Sequence, residues 1–350
     1  MGAAFGLGDL TCNERRRTMK IKGLKLIIIS LILCGSITMA AHAADKVIIG
    51  TFGDPVPVQM AAHDGKLAAA TGWNIDWRKF ASGTDVIAAM ASGDVLLAEL
   101  GSSPFAIGAT QGVDFEAFML DYVIGKSESL IVRDGAGIKA LSDLKGKRVA
   151  TPIGSTAHFS LMGTLKHAGI GEKELTIIGM PPDQITAAWQ QSAIDAAFVW
   201  PPAQTQILRT GKRLVGADKV AEWGYPTFNV WVVNRKFAAA NKDTLIAFMK
   251  AVDAANLDYL QNKAAWTADS AKIKSIAAQT GADPNEVPIT LEGYKFLPLA
   301  EQLKPAWMGG GIAKAVKDTA AFLKSAGRIQ QVADDYSKSV TIDYLKAAVQ

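Results

Sequence analysis

A chain of 350 residues has room for two domains, and 49% hydrophobic against 20% charged residues excludes a disordered polymer. The formal charge of +4 belongs to the first 43 residues, which hold six of the 37 basic and two of the 33 acidic side chains; the rest balances at 31 of each. Without a Lys/Arg stripe or an aromatic platform, nothing favours nucleic acid as a partner.

Residues 1–43 read as a leader and signal peptide. Lys20, Lys22 and Lys25 precede the apolar run Leu26 to Leu33, and Ala41-His42-Ala43 offers a small-x-small cleavage site. Gly35, Ser36 and Thr38 cut the run below the ~20 apolar residues of a membrane span. Export to the periplasm is the expectation. Bulky Leu33 before Cys34 argues against a lipoprotein anchor, and both cysteines, Cys12 and Cys34, fall within the leader. The exported chain then has no disulfide, and its core alone must hold it together.

From Val47 the chain alternates strands and helices. Val47 to Gly50 reads as a strand, Val58 to Ala70 as a helix, Asn74 to Phe80 as a strand and Asp85 to Ala91 as a helix. The short apolar run Val95 to Ala98 is a buried strand, and Gly101-Ser102-Ser103-Pro104 opens a helix with a serine at the N-cap and proline at N1. Unpaired N–H groups at such a helix start make a ready anion site, and two hydroxyls add uncharged donors. Phe115 to Leu120 completes a parallel, doubly wound α/β sheet.

Ser129 to Val132 reads as a strand that ends in Arg133-Asp134-Gly135-Ala136-Gly137, a polar crossing point at which a second α/β unit begins. Its strands are Arg148 to Thr151, Leu175 to Gly179 and Ala196 to Trp200; its helices are Ala157 to His167 and Gln184 to Gln191. Pro152-Ile153-Gly154-Ser155-Thr156 repeats the glycine-and-hydroxyl helix start. Thr227 to Val233 reads as the strand returning to the first unit. The remainder is largely helical, with runs at Thr244 to Leu260, Ser270 to Gln279 and Ile312 to Ser325. The expected layout is a clam: lobe 1 from 44–132 and 230–350, lobe 2 from 133–229, with a ligand between them.

Five phrases, Asp76-Trp77-Arg78-Lys79-Phe80, Ala91-Ser92-Gly93-Asp94-Val95, Gly101-Ser102-Ser103-Pro104, Ala188-Trp189-Gln190 and Val230-Trp231-Val232-Val233, resemble the nitrate, sulfonate and taurine receptors of bacterial ABC transporters. The resemblance implies the two-lobed, class II periplasmic-binding-protein fold. It also implies a monomer that delivers taurine or a related small alkanesulfonate to an inner-membrane permease and its ATPase. By the same resemblance Ser102 and Ser103 are sulfonate ligands from one lobe, Ser155, Thr156 and His158 from the other, and Asp54 and Trp200 face the cleft. Asn229 departs from the pattern, because taurine receptors of this family carry an aspartate there, suited to the substrate ammonium. Losing that charge weakens ammonium recognition unless Asp54 or Asp121 takes it over. The alternative ligand is an amine-free sulfonate such as isethionate, or a pyrimidine or aromatic sulfonate.

An enzyme is the rival class. The exported chain holds only His63, His158 and His167, no cysteine and no Gly-x-Ser-x-Gly elbow. Gly309-Gly310-Gly311 follows no strand and so fails as a dinucleotide fingerprint. No catalytic residue, metal site or cofactor is expected.

Overall fold

The computed structural model describes residues 46–350, so the leader expected over 1–43 lies outside the described residues. The chain lays down β1 (Lys46–Thr51), α1 (Pro57–His63), α2 (Lys66–Thr71), β2 (Asn74–Lys79), α3 (Gly83–Ser92), β3 (Leu97–Gly101), α4 (Ser102–Thr110) and β4 (Phe115–Ile124). The single helix expected from Val58 to Ala70 is two, because Gly65 adopts φ +70° and starts α2 afresh. Ser82 caps α3 by accepting from the Asp85 N–H, and Gly93 closes it in the left-handed conformation.

There follow β5 (Ser129–Arg133), β6 (Arg148–Thr151), α5 (Thr156–His167), β7 (Thr176–Gly179), α6 (Pro182–Gln190), β8 (Ala196–Val199), α7 (Ala203–Leu208), β9 (Gly211–Gly216) and α8 (Ala217–Glu222). The last stretch is β10 (Phe228–Asn234), α9 (Arg235–Ala240), α10 (Lys242–Gln261), α11 (Ala271–Thr280), α12 (Val287–Leu291), β11 (Tyr294–Lys295), α13 (Leu299–Gln302), α14 (Gly311–Ser325) and α15 (Asp343–Val349). The helical tail is as expected. Elements α7, β9 and α8 occupy a stretch for which the sequence reading offered none.

Two sheets result, ordered β11-β4-β10-β3-β1-β2 and β7-β6-β8-β5-β9. Strands flanking the second sheet in sequence therefore build the first. Neither is wholly parallel, contrary to expectation: β10 runs antiparallel to both β3 and β4, and β5 antiparallel to β8 and β9. The reason is the chain path. It leaves the first sheet through β4 and returns through the neighbouring β10, so the outgoing and incoming strands point in opposite directions.

The second sheet shows why its strands read as unbroken apolar runs. Leu130, Val132, Val149 and Phe198 point to one face, against α5 and Val220 of α8. Ile131, Ala150, Ala197 and Val199 point to the other, against Ile185 and Ile207 of α6 and α7. Alternate residues enter opposite layers, and both layers are apolar. One larger core around the first sheet joins Ile49, Leu97, Phe118 and Trp231 to the tail helices through Phe248, Val316 and Leu345.

Candidate functional site

Strand register assembles the site. Asn229 on β10 pairs with Gly101 on one side and Tyr122 on the other, so three strand ends converge on one spot. The strand β3 extends to Gly101, beyond the Ala98 end expected, and α4 begins directly at Ser102; Pro104 is its third residue, not its first. Across from these ends stands the start of α5. A cavity lies between them.

Asp54 reaches this cavity from the turn after β1. Tyr122 donates its hydroxyl to Asp54 Oδ2 at 2.6 Å, and Asn229 Nδ2 donates to the Tyr122 oxygen at 2.6 Å. Oδ1 of Asp54 is buried without a partner. Burial pushes this carboxyl up to about 6, against the opposing hydrogen bond from Tyr122 and the charge of Lys79. The turn itself is pinned from below by Glu99 on β3, whose Oε2 accepts from Thr51 Oγ1 at 3.0 Å and the Phe52 N–H at 3.2 Å.

Glu128, between β4 and β5, supplies a second carboxyl. Thr156 donates to its Oε1 at 2.8 Å, while Oε2 is buried and unpartnered. Burial raises it to about 8; the Thr156 hydrogen bond opposes this and the charge of Asp54 adds to it. Two acids thus enter one cavity, each with one oxygen used by the protein and one free. No lysine or arginine lines that cavity among the described residues.

Two helix starts face the same space. Ser155 and Thr156 line it at the head of α5, where Ser155 Oγ is the cap, accepting from the His158 N–H at 3.1 Å and donating to the Pro152 carbonyl at 2.6 Å. On the opposite wall Gly101 and Pro104 mark the head of α4. A Cβ built on Gly101 would stand 2.8 Å from Thr156 Cγ2, so the two helix starts approach each other only over a glycine. Phe52 and Trp200 close one end of the cavity edge to face, centroids 6.5 Å apart, and Tyr294 stacks obliquely on Tyr122 at 4.5 Å.

Of the residues singled out from sequence, Asp54, Ser155, Thr156, Trp200 and Asn229 therefore come together at the cavity. Ser102, Ser103, Asp121 and His158 are not among the lining residues. Ser102 and Ser103 are fully buried in the first turn of α4, and Ser103 Oγ has no partner. His158 accepts the Gly154 N–H on Nδ1 at 3.2 Å, and burial, aided by the charge of Arg328, lowers it to about 4, leaving a neutral ring. Asp121 lies buried on β4, and burial followed by the charge of Asp54 raises it to about 8.

The sequence reading missed Glu128, Tyr122, Tyr294 and Phe52. Glu128 had a signal, a lone acid between two serines just before an apolar strand; Glu99 had another, a charge inside the run Leu96 to Gly101. The tyrosines had none, since their place depends on strand register.

Comparison with known proteins agrees with this architecture. Residues 69–265 match the family model described as NMT1/THI5 like. The taurine-binding periplasmic protein of Escherichia coli (strain K12) is 39% identical over 83% of this chain and 89% of its own. The periplasmic aliphatic sulphonate binding protein of Escherichia coli superposes with a TM-score of 0.69 at 19% identity, covering 85% of this chain and 92% of that one. A desulfurization enzyme shares the fold at a TM-score of 0.61 and 15% identity, over 87% of this chain and 99% of that one.

Proposed function

We propose, for a chain that belongs to the NMT1/THI5-like family, that it is the substrate-binding receptor of an ABC importer, and that its ligand is taurine or a close aminosulfonate. It captures that ligand in the periplasm and hands it to a membrane permease driven by an ATPase. The observation that carries the choice of ligand is the pair of half-satisfied carboxyls, Asp54 and Glu128, in a cavity lined by no cation among the described residues.

A buried acid with a free oxygen costs stability until a donor reaches it. A primary ammonium carries three N–H donors and a full positive charge, so it serves both free oxygens at once and holds both acids ionised. The sulfonate then lies toward the heads of α4 and α5, where backbone N–H groups await an anion. Asn229 acts through Tyr122, orienting the hydroxyl that fixes Asp54. The aspartate absent from position 229 is thereby replaced by acids on two other segments.

Ligand closes the cleft because each lobe holds only part of the cage. Isethionate would offer one hydroxyl donor to two acids, and ethanesulfonate none, while each adds a negative charge beside them. Binding-site groups left unpaired in this way reject an analogue by on the order of 100-fold or more. A receptor fits the site better than an enzyme does, since no histidine lines the cavity among the described residues. The test is calorimetric titration of the exported form with taurine, isethionate, ethanesulfonate and sulfate. Taurine should bind at least about 100-fold more tightly than the other three; equal affinity for isethionate or ethanesulfonate would overturn the aminosulfonate assignment.

A further inference from the structure

Phe52 follows β1 of the first sheet and Trp200 follows β8 of the second, yet their rings meet edge to face with centroids 6.5 Å apart. Both rings line the inner cavity that holds Asp54 and Glu128. Both also line an outer groove, whose walls include Phe80, Pro182 and Pro202. Among the described residues these two rings are all that the two spaces share. They stand between the two spaces.

We propose that the Phe52–Trp200 pair is a size gate that sets substrate specificity, and that shortening either ring admits aminosulfonates bearing an apolar N-substituent that extends into the outer groove. The proposal rests on the aminosulfonate reading above. Chemistry on the two sides of the pair differs in the way it requires. Inside are acids with free oxygens; outside are a phenyl ring and two prolines, with Lys79 and Asp183 as the charged residues of the groove. A secondary ammonium keeps two N–H donors, one for Asp54 and one for Glu128, while its substituent gains an apolar wall in place of water.

The probes are taurine and N-cyclohexyl-2-aminoethanesulfonate, titrated calorimetrically into the wild type, Trp200→Ala and Phe52→Ala. The wild type should prefer taurine by at least about 100-fold, and each variant should move the affinity ratio toward the cyclohexyl compound by at least about tenfold. The two variants lie on different sheets, so a folding failure in one leaves the other to decide, and Trp200→Leu gives a milder opening that preserves an apolar side chain. A ratio unchanged in the folded variants, with taurine binding intact in the wild type, overturns the gate alone. A wild type that binds the cyclohexyl compound as well as taurine also overturns it. No taurine binding by the wild type removes the aminosulfonate reading, and the gate with it.

Discussion

The second sheet and the cavity floor are built on opposite principles. On the sheet, Ile131, Phe198 and Val199 are fully buried among their own kind, and each contributes stability whether or not anything is bound. Beside the cavity, Asp54, Glu99, Asp121 and Glu128 are buried with every carboxyl raised by desolvation. Such a cluster costs free energy in the empty protein. One region explains how the chain folds; in the other, Asp54 and Glu128 carry a cost that the ammonium proposed above would offset.

The sharpest way to break this contrast is to neutralise the cavity. Asp54→Asn combined with Glu128→Gln should weaken taurine binding at least about a thousandfold while the empty protein becomes more stable. The sign follows from the raised values. An acid whose folded-state value lies above its unfolded one binds protons in the folded state, so stability falls as pH rises from the ordinary carboxyl range to the folded value, about 6 for Asp54 and about 8 for Glu128. Thermal melts of the empty wild type should therefore show a lower midpoint at pH 8.5 than at pH 6, with the decline reduced in the double variant. Equal declines would show that these two acids do not govern it.

The reverse experiment targets the sheet. Phe198→Ala removes a fully buried ring and should cost about 3–5 kcal/mol in denaturant melts, while the folded fraction keeps its preference for taurine over isethionate. Next in size is the pH dependence of binding. Ammonium capture needs ionised carboxyls, so affinity should rise by up to about tenfold per pH unit between pH 6 and 8, with proton release visible as a buffer-dependent heat. A flat profile would mean that the acids are already ionised or do not touch the ligand. Smaller again is Gly101→Ala. Its φ of −69° and ψ of 154° suit alanine, but the added methyl would stand 2.8 Å from Thr156 Cγ2 and 3.3 Å from Asn229 Oδ1, so the two helix starts must move apart. Taurine affinity should fall roughly tenfold, a loss confined to the approach of the two helix starts.

Legibility in the sequence divides along the same line. Strands β5, β6, β7 and β8 of the second sheet declare themselves because hydrophobic runs near glycine and proline follow from local burial, whereas β9, with Lys212 and Arg213 in it, does not. The Gly65 break shows in the sequence only as a glycine, because the apolar pattern continues on both sides. Asp54, Thr156, Asn229 and Trp200 were found at the cavity partly because turns and strand ends are where chemistry gathers, and partly through family resemblance. Tyr122 and Tyr294 were not, since only the pairing of β10 with β4 and of β4 with β11 places them there. Glu128 was overlooked for a related reason: its partner Thr156 lies 28 residues away, and no local rule links them.

The smallest predicted effect separates capping from recognition at one residue. Ser155 stands on the cavity wall, yet both hydrogen bonds of its hydroxyl are internal, one from the His158 N–H and one to the Pro152 carbonyl. Loss of an N-cap typically costs about 1 kcal/mol, so Ser155→Ala should lower stability by that amount. Affinity should change by no more than about threefold, because the backbone N–H groups at the head of α5 remain in place. Thr156→Val is the complement. It keeps the shape and removes the donor to Glu128 Oε1, leaving that carboxyl more dependent on the ligand ammonium and harder to ionise in the empty protein. The pH at which taurine affinity levels off should then move upward in Thr156→Val and stay unchanged in Ser155→Ala. If Ser155→Ala moves it as well, the serine hydroxyl belongs to the binding chemistry and not to the helix alone.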